Sequence, residues 1–201
     1  MYPKLIPYNE YLASIPNTGQ IILAHQRDEH LLVYQAYNHA IADFALKNQC
    51  LGGSHFKYSR MSWIKPNFLW MMFRCGWAAK ENQERVLGLW VRKRDFEKIL
   101  SEAVYSSYQA DLYNTREAWQ KALEQKEVRL QWDPDHDLFG NKVERRAIQL
   151  GLKGKILASF GKEMISEIVD MTDIVKEQKQ RIDQGELEHV LVPTEWEVVI
   201  K

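Results

Sequence analysis

One short segment of this chain is apolar on every side of the helix that it predicts. Pro66 stands where a first helical position is expected, residues 67–75 continue as a helix, and Gly76 ends it. Residues 68–73 read Phe, Leu, Trp, Met, Met, Phe and leave almost no polar face. A helix that is apolar all round is a buried helix. We therefore expect the rest of the chain to pack around this segment.

Length and composition are sufficient for such a core. The chain has 201 residues, of which 45% are hydrophobic, and this size is typical of one domain. We expect residues 1–201 to form a single domain, in which residues 1–20 are an irregular arm with one helical turn near residues 8–14. Cys50 and Cys75 are too few for a disulfide scaffold, which favours a cytoplasmic location. We expect no signal peptide and no membrane partner, because residues 68–75 are too few to span a bilayer.

Helices and strands alternate without a regular βαβ order. Helices are predicted at residues 39–49, 67–75, 95–105, 116–125 and 172–184. Strands or extended segments are predicted at residues 21–25, 31–34, 56–64, 85–91, 128–132, 145–150, 164–170, 190–193 and 195–200. Asn38 and Thr115 are expected to cap two of the helices. This order favours an α+β fold with a mixed, largely antiparallel sheet packed by several helices, one of them fully buried.

Positive charge and aromatic rings are concentrated in the middle of the chain. The net charge is zero, yet residues 40–100 hold 11 Lys or Arg against 5 Asp or Glu, and no acid occurs between Phe44 and Lys80. Eight Phe, Tyr or Trp residues are interleaved with the cations of that stretch. Cations beside aromatic faces suit ligands that carry both phosphates and bases.

The start of the apolar helix is the strongest candidate site. A helix N-terminus offers free N–H groups and a partial positive charge, and Lys65 stands at that end with Ser62 close by in sequence. Arg74 lies within the apolar helix, where a buried guanidinium needs a partner. That partner is either an external phosphate or carboxylate, or a distant acid such as Asp43 or Asp133.

Several other residues are candidates for the same ligand, each with a plainer alternative. Arg60 and Lys80 flank the helix, and Lys65 would merely extend its amine to solvent if the site were structural. Gln35 and Tyr37 end a predicted strand, where they would read and stack on a base, or else be core residues beside the capping Asn38.

Two further candidates lie outside the central segment. His25 is a candidate catalytic base in the first strand, although a histidine there is more often a satisfied, half-buried residue. Arg146 alternates with Arg145 and shares a strand face with Ile148 and Leu150. It would join the central cluster or pair with Asp133.

No metal site of the protein's own is predicted. Asp133, Asp135, Asp137 and Glu144 match several positions of a calcium loop, but Leu138 stands where the loop needs glycine. A solvated acidic turn is the favoured interpretation. Mg²⁺ carried in by a phosphate ligand stays open, because such sites use only one or two carboxylates.

Four stretches of the chain resemble one family, the domain of unknown function 4291. They are residues 31–37, 59–77, 128–134 and 146–152. The resemblance spans nearly the whole chain, and its tryptophan-rich block is highly specific. Many members carry Arg where this chain has Leu23; if that Arg is functional, its absence weakens any role assigned to the first strand. The family name implies no activity.

Three functions fit these features. The first is a nucleotide-dependent transferase that acts on nucleic acid, with NAD used as in ADP-ribosyltransferases; that comparison is a fold-level analogy. The second is an RNA-ligase-like enzyme that uses ATP to load a nucleotide onto Lys65, although such ligases expect Gly three places after the lysine, where Phe68 stands. The third is a non-catalytic module that binds nucleotides or RNA through the same patch.

Overall fold

The computed structural model describes residues 1–200 and has an α+β architecture. Seven α-helices, α1 to α7, occur at Tyr8–Ser14, His39–Asn48, Phe68–Cys75, Lys93–Ser101, Arg116–Gln125, Gly154–Ser159 and Thr172–Asp183. Twelve strands, β1 to β12, occur at Leu5–Pro7, Leu23–Ala24, Gln26–Arg27, His30–Tyr37, Ser62–Ile64, Arg85–Arg92, Ala103–Tyr105, Val128–His136, Lys142–Leu152, Ile165–Asp170, Leu191–Pro193 and Trp196–Glu197. None of the helices within residues 1–200 is long and apolar enough to cross a membrane.

Two four-stranded sheets form the frame of the molecule. One has the strand order β10-β6-β4-β3 and the other has the order β5-β9-β8-β7. Among the described residues every pairing between named strands is antiparallel except that of β7 with β8. The prediction of a largely antiparallel α+β fold is confirmed, although the described strands form two four-stranded and two two-stranded sheets rather than one sheet.

A backbone bridge joins the two sheets at one point. Lys65, the residue after β5, pairs with Tyr34 in the middle of β4. The Tyr34 N–H donates to the Lys65 carbonyl at 2.7 Å, and the Lys65 N–H donates back at 3.3 Å. This bridge holds Lys65 at the junction of the sheets, directly before the apolar helix.

Helix α3 is mostly, but not entirely, buried. Six of its eight residues are buried, and its Phe68 ring packs edge-on against the Tyr34 ring at a centroid distance of 5.4 Å. The helix ends at Gly76 in the left-handed conformation that glycine favours, as predicted. The prediction of a fully buried helix is wrong for Phe73, which is 38% exposed, and for Arg74, which is also exposed.

Most predicted elements are present, with corrected bounds. Asn38 and Thr115 cap α2 and α5 as expected. The helix predicted at residues 95–105 is shorter, because residues 103–105 are strand β7. The arm at residues 1–20 is more ordered than expected, since β1 pairs with β11 and Tyr11 of α1 is buried. Helix α6 and the π-helical turn Phe160–Met164 that follows it were not predicted.

Candidate functional site

A cavity of about 700 Å³ lies where the two sheets meet beside α3. Strand β4 contributes Gln35 and Tyr37, and β5 contributes Ser62. The described lining also contains the three cationic residues that the sequence placed at the centre, namely Arg60, Lys65 and Arg74. Six of the predicted site residues therefore converge on one space, which we name the Lys65 cavity.

Lys65 is a buried amine with no internal partner. The residue is 4% exposed, and its Nζ makes no hydrogen bond or ion pair within the described part of the chain. Burial, and then the nearby Arg74 guanidinium, lower the pKa of Lys65 from its ordinary value of 10.5 to about 8. Cys75 and Asp133 act in the opposite direction. A substantial fraction of the amine is therefore neutral and nucleophilic near pH 8.

Arg60 and Arg74 supply further positive charge at exposed positions. Arg74 was expected to be buried, with either an external anion or a distant acid such as Asp43 or Asp133 as its partner. It lies instead on the exposed side of α3, and Asp43 is paired with Arg85 at 2.8 Å. No carboxylate of residues 1–200 forms a salt bridge with either arginine of the cavity. Both guanidinium groups are therefore available to an anion that enters from solvent.

Three polar side chains form a fixed network on one wall. The Tyr37 hydroxyl donates to Gln35 Oε1 at 2.7 Å, and Gln35 Nε2 donates to Ser62 Oγ at 2.8 Å. Gln35 is 3% exposed, and burial raises the pKa of Tyr37 well above its ordinary value. The network is rigid and neutral, so it suits the orientation of a ligand rather than acid–base chemistry.

The lining of the cavity also includes a carboxylate that the sequence did not assign to the site, namely Asp133. Both of its oxygens accept hydrogen bonds at 2.8 Å, from Gln131 Nε2 and Gln149 Nε2. The two glutamines face each other across β8 and β9. These amides aim the carboxylate into a space that also contains Lys65. The alternation of Gln131 with Asp133 along one strand face was the signal available in the sequence.

Aromatic rings complete the cavity. Trp63 lies over Gly151, where a Cβ atom would stand 2.9 Å from its ring. Trp70 also lines the cavity and stacks on His136 at a centroid distance of 5.1 Å. Burial lowers the pKa of His136, so this stack is uncharged at neutral pH. Flat apolar surfaces of this kind suit a nucleobase.

The N-terminus of α3 is already occupied by an internal carboxylate. Glu195 accepts from the Phe68 N–H at 2.6 Å, from Asn67 Nδ2 at 2.9 Å and from the Tyr11 hydroxyl at 2.8 Å. Asn67 Oδ1 accepts from the Trp70 N–H at 2.8 Å. The helix end that was expected to bind an external anion is therefore bonded from within the protein, by Glu195.

Three predicted site residues lie away from the Lys65 cavity. His25 is buried, and its Nδ1 lies 2.7 Å from the Thr194 carbonyl oxygen. Lys80 caps the end of α3, because its Nζ donates to the Arg74 carbonyl at 2.7 Å. Arg146 points to solvent and donates to the Trp132 carbonyl at 2.8 Å, while Arg145 is the buried member of the pair. The strand-face argument for Arg146 failed because the core does not cover this part of β9.

The acidic residues at the end of β8 and in the turn that follows it make structural contacts. Asp135 is buried and pairs with Arg145 at 2.6 Å, so it is not part of a solvated turn. Asp137 holds the turn to β9 by accepting from the Phe139 and Asn141 N–H groups, each at 2.9 Å. Within residues 1–200 no group of three or more His, Cys, Asp or Glu could hold a metal ion.

The comparisons with known proteins identify the family and leave its chemistry open. No curated protein matches the chain. A family model matches residues 21–198, a range that contains all four stretches on which the resemblance rested. The chain therefore belongs to the family described as Domain of unknown function (DUF4291).

Proposed function

We propose that this protein is a nucleotide-dependent transferase that binds its nucleotide in the Lys65 cavity. The observation that carries the proposal is the Lys65 amine, which is buried, free of internal partners and has a pKa of about 8. Lysines activated by desolvation serve as covalent nucleophiles. Arg60 and Arg74 would bind the phosphates, and Trp63 or Trp70 would contact the base.

The geometry supports nucleotidyl transfer through Lys65 best. The neutral amine attacks the α-phosphorus of ATP, a P–N bond forms, and the bond from that phosphorus to the bridging oxygen breaks. Pyrophosphate leaves, and the amine proton passes to solvent. An acceptor hydroxyl or phosphate then attacks the same phosphorus and releases the Lys65 amine. Asp133 is the one carboxylate among the described lining residues. Because Mg²⁺ is usually bound by one or two carboxylates together with the phosphates of a substrate, it would enter with the phosphates.

One observation favours a second candidate, a transferase that uses NAD. The Asp133 carboxylate is held by Gln131 and Gln149, and such a group could bind ribose hydroxyls or stabilise the positive charge that develops when nicotinamide leaves. No glutamate lines the cavity within residues 1–200. This candidate therefore requires the aspartate to act alone.

The acceptor and the setting follow from the same proposal. An acid-free basic segment borders the cavity, which favours RNA as the acceptor. Cys50 and Cys75 are both free thiols, as expected of a protein that works on nucleotides in the cytoplasm.

The test is to incubate the protein with Mg²⁺ and ATP labelled at the α-phosphate. Wild type should retain an acid-labile label, while Lys65→Arg should retain none, because arginine keeps the charge but is not a nucleophile. Lys176→Ala, at an exposed position of α7, is the matched control and should label as wild type does.

Parallel incubation with NAD separates the candidates. If wild type releases nicotinamide from NAD but takes no label from ATP, and the release is lost in Asp133→Asn, the second candidate is supported and the first is excluded. If neither the labelled adduct nor free nicotinamide forms, but nucleotide raises the melting temperature, the protein is a non-catalytic binding module. Each of ATP, GTP and NAD is also tested at a concentration one hundred times a micromolar dissociation constant. If none of them raises the melting temperature by about 5 °C, the proposal is wrong.

A further inference from the structure

A second recess opens directly beside the Lys65 cavity. It has a volume of about 490 Å³ and lies between the end of β4, the start of α2 and the loop before β5. Tyr37, Arg60, Met61 and Ser62 line both spaces. The two therefore form one continuous cleft, and we name the second part the Lys57 groove.

The groove is positively charged and has hydrogen-bonding groups along it. Lys57 and Arg60 are both exposed, and neither side chain forms an ion pair or hydrogen bond within the described part of the chain. The described lining contains no Asp or Glu and includes Asn38, His55 and Asn82. Free cations along a recess with neutral donors and acceptors match a chain of phosphates and sugars.

Arg60 stands where the two parts of the cleft meet. A nucleotide bound against Lys65 would place its phosphates close to this guanidinium. The end of a nucleic-acid strand lying in the groove would place its own terminal group there as well. Transfer from Lys65 to an acceptor needs the two ligands to meet at this position.

We propose that the Lys57 groove binds the acceptor of the reaction, the end of a single-stranded nucleic acid. The inference rests on the proposed function for its chemistry, although binding of the strand can be measured separately. A single strand is favoured over a duplex because its unpaired bases and backbone can enter a recess of about 490 Å³ and reach the polar groups that line it. An acidic peptide is the competing class of ligand.

The experiment measures the anisotropy of a fluorescent ten-nucleotide RNA at several salt concentrations. Wild type should bind it with a strongly salt-dependent affinity. Lys57→Ala should bind about tenfold more weakly at low salt, and its slope of log affinity against log salt should be smaller by about 0.7, the value for one lost phosphate contact on a single strand. Lys176→Ala changes an equally exposed lysine outside the cleft and should bind as wild type does.

Three outcomes would overturn the inference. They are an unchanged affinity of Lys57→Ala, equal binding of a duplex of the same length, and competition by a polyglutamate peptide as effective as that by unlabelled RNA. Nucleotide binding by wild type is measured in parallel by thermal shift. A protein that binds ATP or NAD but no RNA would refute the groove alone. A protein that binds RNA through Lys57 but no nucleotide would refute the proposed function alone.

Discussion

At the scale of single residues, the proposed chemistry of Lys65 depends on the pKa of its amine. Only the neutral amine can attack phosphorus, and the pKa of this amine is about 8. We expect the initial rate of adduct formation to rise about tenfold per pH unit below pH 7.5 and to level off above pH 8.5. Labelling with ATP between pH 6 and pH 9.5 checks this. A rate that is flat from pH 6 upwards would contradict the assignment of Lys65 as nucleophile.

Two neighbours should move this pH profile in opposite directions. Arg74 lowers the pKa of Lys65 by repulsion, while Asp133 raises it by attraction. Arg74→Ala should therefore shift the midpoint of the profile to higher pH, and Asp133→Asn should shift it to lower pH. A merely structural role of either residue would reduce the rate without moving the midpoint, so the two variants control for each other.

Sequence reasoning found the site residues that lie close together in the chain and missed Asp133 with its glutamine partners. Lys65, Ser62 and Arg60 lie close together in sequence, so a local argument could group them. Asp133 and its glutamine partners come from strands that follow about seventy residues later, and only the register of β5, β9 and β8 brings them beside Lys65. Such a register depends on long-range pairing, which local patterns do not contain.

At the scale of secondary structure elements, the buried start of α3 depends on its polar caps. Asn67 accepts from the Trp70 N–H and donates to Glu195. Asn67→Ala should lower the free energy of unfolding by about 1–3 kcal/mol, because it removes a cap and leaves a buried carboxylate short of one donor. Urea unfolding checks this. Thr115→Ala, which removes the exposed cap of α5, should cost less, and an equal or larger cost would contradict the argument.

Strand β9 positions the aromatic wall through a missing side chain. A Cβ atom at Gly151 would lie 2.7 Å from Met61 Sδ and 2.9 Å from the Trp63 ring. Gly151→Ala should therefore displace Trp63, cost about 1–3 kcal/mol of stability and weaken nucleotide binding. Urea unfolding of wild type and variant measures the loss of stability, and the change in tryptophan fluorescence on adding ATP measures the loss of nucleotide binding. An unchanged response to ATP would mean that Trp63 does not contact the ligand.

The elements missed by sequence reasoning share a cause. Helix α6 begins at Gly154, and Gly161 lies in the turn that extends it, so two glycines obscured a helical pattern. Strand β8 continues through Pro134, where a loop was expected. Glu195 was not predicted as the acceptor at the start of α3, because nothing in the neighbouring sequence distinguishes it. Its hydrogen bonds come from Tyr11, Asn67 and Phe68, which are distant in the chain. Tertiary packing decided each of these cases.

At the scale of the whole molecule, two buried groups should give stability an unusual dependence on pH. Burial raises the pKa of Glu195 to about 8, although the hydrogen bonds from Phe68 and Tyr11 oppose this. Between about pH 4.5 and pH 8 the folded state therefore holds a proton that the unfolded chain has lost. The contribution of Glu195 to the free energy of unfolding falls as pH rises through this window.

Lys65 acts above that window and in the opposite direction. Its pKa is lowered from 10.5 to about 8, so the unfolded chain binds more protons than the folded state between those values. Stability should therefore rise with pH from about 8 to 10.5, which places a minimum near pH 8. Urea unfolding at several pH values checks this. In a plot of the free energy of unfolding against pH, Glu195→Gln should flatten the fall below pH 8 and Lys65→Met should flatten the rise above it. If both variants leave the plot unchanged, the assignment is contradicted.

The bridge between Tyr34 and Lys65 makes the Tyr34 amide proton a reporter of how the two sheets are assembled. The Tyr34 amide proton is bonded across the junction, so it can exchange with deuterated solvent only when that contact opens. The exchange lifetime of this one proton measures how often the halves of the molecule separate at the bridge. Ligands that bridge both walls should lengthen that lifetime, whereas ligands that bind only one wall should leave it unaltered.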